Sequence, residues 1–308
     1  MKMMIAYMTM CLIFGTTFLT IKIGLEGGMP PFFFAGSRFF LAGVMMLFLL
    51  RGAKTLKQLT RQQVKEIALG GVGLTGIQFA AVYWAAQYLP SGTVAILAGT
   101  SPIFTSLLAM WTGQQKRSLH LMIGIVLGFF GTYLIATGTS HETSTGEQEL
   151  ADLGIGLILF VKFLYAFALT RFQKHTRSVP TMTSNGLQMT AGGFFLLLLS
   201  LCFEQVTPSA YSPAAFGALI YLIVIGSVVG YSIFYWLLRV TNTVFPTTWT
   251  FVSPVIAMCV GALYMNEKIT FAMGLGAVTV ISSVVLLNRE GLGGNSKRLQ
   301  TDTIKGDR

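Results

Sequence analysis

The chain has 308 residues, of which 53% are hydrophobic and only 10% charged, against roughly 25% charged in ordinary soluble domains. So few charges cannot clothe a water-soluble surface of this size, and apolar stretches of about 20 residues, long enough to cross a bilayer core, recur throughout. The net charge of +10 does not indicate nucleic acid, because Lys and Arg lie in short loops and the C-terminal tail and form no basic domain.

Ten spans are predicted, at about 3–25, 32–51, 64–88, 91–113, 118–138, 152–173, 181–203, 214–240, 243–264 and 269–289. Lipid tolerates only helices or closed barrels. These runs are continuously apolar, without the alternation of a barrel strand, so the expected fold class is an all-α polytopic membrane protein. The apolar stretch after "MKMMIAYMTM" is too long for a signal-peptide core and lacks a small-residue cleavage site, so it reads as the first span. Between spans five and six, residues 139–151 form an acidic outer loop, and the polar tail 291–308 is expected to be disordered.

Charge sets the orientation. With the N-terminus inside, the cytoplasmic side receives Arg51, Lys54, Lys57, Arg61, Lys65, Lys116, Arg117, Arg171, Lys174, Arg177, Arg239 and the basic tail. The outer loops hold Glu26, Glu142, Glu147, Glu149, Asp152, Glu204 and Glu267, with Lys268 the lone outer cation. That asymmetry follows the preference of positive loops for the cytoplasmic face, and predicts a cell-membrane protein with both termini on the cytoplasmic side.

The second half echoes the first. At an offset of 152, Tyr83-Trp84 falls on Tyr235-Trp236, Ser101-Pro102 on Ser253-Pro254, Lys116 on Lys268 and Gly124 on Gly276. At 150, Thr20, Pro30, Gly36 and Gly43 fall on Thr170, Pro180, Gly186 and Gly193. Each half thus reads as five spans, 3–138 and 152–290. Five is odd, so the second copy would sit upside down. Such inverted repeats are a construction of secondary transporters, with substrate near midplane.

These residues resemble the drug/metabolite transporter superfamily in its ten-span form with two EamA domains. The resemblance spans residues 5 to 290 and rests on "FGTTFLTIKIGLEGGMPP", "AGSRFFLAG", the two Ser-Pro helices and "MNEKITFAMGLGAVTV". Phe14-Gly15 stands where the family commonly has Trp-Gly. Glu267 matches a family Gly-Glu motif for which the first half has Gln115. The resemblance implies export or exchange of small metabolites such as amino acids, by alternating access through a central cavity. The alternatives are a drug or phosphorylated-metabolite exchanger of the same superfamily, and a channel or non-transporting membrane scaffold.

An enzyme is not expected, because HExxH, GxSxG and P-loop motifs are missing and His120, His141 and His175 lie near span ends or in loops. Cys11, Cys202 and Cys259 have no metal-ligand spacing, so neither cofactor nor metal is expected. No Asp or Glu falls inside a span, which disfavours a carboxylate proton relay. Three cations do. Lys22, near the outer end of the first span, snorkels to headgroups, and Arg38 matches an arginine common in the family and reads as structural, bonded to helix carbonyls. Lys162 lies some ten residues from both ends of its span, roughly 15 Å deep at 1.5 Å per residue. A lysine there costs about 2.5–3.5 kcal/mol on the insertion scale, so it is expected to line the substrate pathway and bind an anionic group; the alternative is a neutral or snorkelling lysine.

Gln78, Tyr83, Trp84, Tyr231, Tyr235 and Trp249 complete the candidate pathway. Ser101, Pro102, Ser253 and Pro254 are the candidate helix breaks, where each proline frees the carbonyl four residues earlier, at Ala98 and Thr250. The expected partners are the lipid bilayer and a small-molecule substrate, with a homodimer left open.

Overall fold

The computed structural model describes residues 2–49, 59–89, 91–101, 104, 108, 119–138, 145–176, 179–241, 246, 248–264 and 270–294. Among them every regular element is helical: α1 (Lys2–Glu26), α2 (Pro31–Leu49), α3 (Arg61–Ala85), α4 (Ser91–Ala98), α5 (Leu119–Gly138), α6 (Thr145–Thr176), α7 (Thr181–Phe203), α8 (213–240), α9 (Trp249–Tyr264) and α10 (Phe271–Gly294). Six of these, α1, α2, α3, α6, α7 and α8, are long and apolar enough to cross a membrane.

Two boundaries differ from the sequence reading. α6 begins at Thr145, so residues 145–151 of the expected acidic loop are helical. Acidic residues such as Glu149 suit the positive start of a helix as well as they suit a loop. α10 continues to Gly294, which takes in the first residues of the expected tail; residues 139–144 and 295–308 lie outside the described set.

Helix starts follow local chemistry. Thr60 and Gln63 form a reciprocal capping box for α3, and Ser212 Oγ accepts from Ala215 N at 3.2 Å ahead of Pro213 in α8. α2 is capped from a distance. The Glu204 carboxylate, just past α7, accepts from Phe32 N at 2.7 Å and Phe33 N at 2.8 Å, satisfying donors that a helix start leaves open. The turn before α2 passes through Gly28 at φ +90°, where a side chain is disfavoured.

α3 and α8 share an irregularity. Each widens into a π-helix midway, over Val72–Ile77 and Leu222–Val229, and then returns to α-helix. Both widened turns contain or adjoin glycines: Gly71, Gly73 and Gly76 in one, Gly226 and Gly230 in the other.

Packing pairs helices at equivalent positions of the two halves: α2 with α7, α5 with α10, and α4 with α9. α1 lies against α8 and α9, as α6 lies against α3 and α4. The α2–α7 contact is close because Gly43 meets the Thr190 backbone and Gly193 meets that of Phe40; a Cβ at either position would collide with main chain. α5 and α10 are tied by Ser283 Oγ donating to Gly124 O at 2.6 Å.

Candidate functional site

A cavity of about 170 Å³ lies among α1, α2, α3, α4, α6, α8 and α9, which puts both halves of the chain in its wall. Polarity comes from Arg38, Lys162, Gln78, Thr17, Ser101 and Thr250; among the described residues no carboxylate lines it. Aromatic rings supply most of the rest. Phe14 sits edge-on to Tyr231 at 5.2 Å and against Trp249 at 4.6 Å, and Tyr231, Phe234 and Tyr235 form a contiguous group on α8. Toward the N-terminal end of α1, Tyr7 OH and Thr248 Oγ1 lie 2.7 Å apart, linking α1 to the start of α9.

Lys162 is 4% exposed and lines this cavity, with Nζ 5.9 Å from the Tyr165 ring centre. A buried ammonium is costly unless paired or solvated. Arg38, 2% exposed, also faces the cavity. Its partners are hydroxyls and not the helix carbonyls expected from the sequence: Nε donates to Ser227 Oγ and Nη1 to Tyr83 OH, both at 3.0 Å. The guanidinium also stacks over Phe39 at 4.7 Å and Phe79 at 5.9 Å. These contacts fix its geometry without cancelling its charge.

The other predicted residues divide. Gln78, Tyr231, Tyr235 and Trp249 line the cavity. Tyr83 stands behind the wall, fully buried, and acts on the cavity through Arg38. Trp84 turns away and packs on Tyr88 at 5.0 Å, because it neighbours Tyr83 on a helix and so points elsewhere. Lys22 Nζ lies within 3.4 Å of Ala86 O, 3.5 Å of Gln87 O and 3.9 Å of the Glu26 carboxylate. It therefore serves the C-terminal carbonyls of α3.

At the expected helix breaks, Ser101 Oγ donates to Ala98 O at 2.9 Å and Ser253 Oγ to Thr250 O at 3.4 Å. Both accepting residues line the cavity. α4 is interrupted at Gly99-Thr100, and hydrogen bonding resumes from Phe104 N to Thr100 O at 3.4 Å. Pro102 lies outside the described residues, and α9 runs unbroken through Pro254, so the break expected there is not seen; the serine hydroxyl on Thr250 O accompanies a continuous helix.

Wall residues that were not singled out from the sequence include Thr17, Phe79, Tyr165 and Phe234. Hydroxyls and aromatics are common in membrane helices, and only Tyr165, one turn after Lys162, carried a positional hint. Gln78 Oε1 is buried and lacks a hydrogen-bond partner, a state that costs about 1–3 kcal/mol. A ligand's donor would offset that cost only with a turn of the side chain that exposes the oxygen.

Residues 1–137 and 152–289 each match the model of the EamA-like transporter family. The "Uncharacterized inner membrane transporter YedA" of Escherichia coli (strain K12) is 28% identical over 92% of this chain and 89% of its own. The "Uncharacterized transporter YoaV" of Bacillus subtilis (strain 168) is 23% identical over 92% and 96%. A "Probable amino-acid metabolite efflux pump" of Escherichia coli (strain K12) is 26% identical over 89% and 90%. One crystallographically solved chain superposes with a TM-score of 0.71 at 16% identity, covering 94% of this chain and 97% of that one, a likeness of fold alone.

Proposed function

This chain belongs to the EamA-like transporter family, and we propose that it is a ten-span secondary transporter that exports amino acids or related small metabolites by alternating access between two inverted five-helix halves. Its substrate carries an anionic group that binds between Arg38 and Lys162, both termini are cytoplasmic, and the membrane is the inner or plasma membrane.

One observation carries this reading: among the described residues, a cavity walled by both repeats holds two buried cations and no carboxylate. In a low-dielectric site an anion between two cations forms charge-assisted hydrogen bonds about twice as strong as neutral ones. The size agrees with a small metabolite, since an engineered apolar cavity of about 150 Å³ takes benzene and this one measures about 170 Å³. The pairing of equivalent helices across the halves supports the two-fold construction, and the efflux-pump relative supports the choice of amino acids and of direction.

The test is counterflow of labelled amino acids in proteoliposomes, with and without a pH gradient. Saturable flux is expected, and Lys162→Met should abolish it while expression and monodispersity are kept. Unsaturating conductance would mark a channel, absence of any flux a scaffold, and full flux in Lys162→Met would remove the lysine from the pathway.

A further inference from the structure

The two π-turns occupy matching places, since the 152-residue offset lays Thr75 on Ser227 and Gln78 on Gly230. Each is packed by a helix of the other half: α7 on the turn of α3, α2 on the turn of α8. The junctions differ in chemistry. At offset 150 Arg38 falls on Gln188, and Gln188 donates to Ser184 on its own helix at 3.4 Å. Arg38 instead reaches across to the π-turn, where Ser227 Oγ accepts from it and Gly226 leaves it room: a Cβ on Gly226 would lie 3.4 Å from Nη2. Tyr83, beyond the other π-turn, accepts from the second arm.

We propose that Ser227 and Tyr83 are positioning residues that hold Arg38 as a fixed anion receptor, and that the π-turn of α8 is its socket. The inference rests on the proposed binding of an anionic group in this cavity. Two of the five N–H donors of the guanidinium are engaged by the hydroxyls. The others are left for a ligand, at an angle the socket sets. Since both anchors are neutral, the positive charge stays uncompensated until the anion arrives. A salt bridge at the same place would have silenced it. Preorganised donors of this kind bind without reorganising, and their loss appears in affinity.

The experiment is counterflow with labelled L-alanine, L-threonine, L-leucine and L-phenylalanine, using Ser227→Ala, Ser227→Thr and Tyr83→Phe. Ser227→Ala and Tyr83→Phe should each raise KM for the transported amino acid by about tenfold, the effect of one hydrogen bond to a charged group, with kcat within about twofold. Ser227→Thr should restore KM, because Thr75 already occupies the equivalent turn. Unchanged KM in both hydroxyl deletions overturns the proposal, as does a fall in kcat alone that Ser227→Thr does not relieve. A wild-type protein that carries none of the four compounds overturns instead the reading on which it rests.

Discussion

Gln78 Oε1 sits in the cavity wall, unpartnered and shut off from water. If its purpose is to receive a donor from the substrate, removing it separates stability from function. Gln78→Leu should stabilise the empty protein by about 1 kcal/mol, seen as a higher Tm in detergent, and raise KM in counterflow. A lower Tm together with unchanged KM would assign the amide to packing. At this scale the sequence was informative where a residue type is scarce. Lys162, Arg38 and Gln78 stand out in apolar runs, and Trp249 is one of four tryptophans in the chain. Ser227 did not stand out, because hydroxyls in membrane helices usually bond a carbonyl one turn back, as Thr17 does with Phe14 O at 2.6 Å. Only the fold, by bringing α2 against α8, tells Ser227 from Thr17.

Among the elements, proline was visible in the sequence because it has a fixed backbone consequence, but its outcome was not: α9 runs unbroken through Pro254, and Pro102 lies outside the described residues. The π-turns were not visible. Widening a helix by one residue per turn leaves no period in a segment that is apolar on all sides, and the glycines near each turn also fit ordinary helix packing. The remote cap on α2 was equally hidden, since Glu204 lies more than 170 positions from the amides it serves. Glu204→Gln keeps the shape and removes the charge, so it should lower stability by about 1–2 kcal/mol. Thermal unfolding of the purified variant measures this, and a Tm equal to wild type would reduce the cap to a surface contact. Flux should persist, because the cap lies away from the cavity.

For the molecule as a whole, the repeat visible in sparse identities proves to be a packing rule: Gly43 and Gly193, matched in the sequence, are the points of close approach in the α2–α7 contact. Gly193→Leu should therefore prevent assembly, read as loss of monodisperse protein, whereas Gly217→Leu, at a glycine with open space around it, should be tolerated. Equal yields of the two variants would remove the contact from the fold's requirements. Six of the expected spans were legible as helices long and apolar enough to cross a membrane, because apolar length is an additive property of composition; which helices touch was not, because it depends on shape. The glycine-lined face of α2 also has a consequence in time. Its partner α7 ends at Phe203 whereas α2 ends at Leu49, and a ribosome adding about 5–20 residues per second needs roughly 8–30 s to cover that interval. Throughout that wait the backbone face of α2 has no partner helix, so the nascent first half would need lipid or the insertion machinery to shield it, and a chain truncated between the repeats should be cleared faster than the full chain in a pulse-chase.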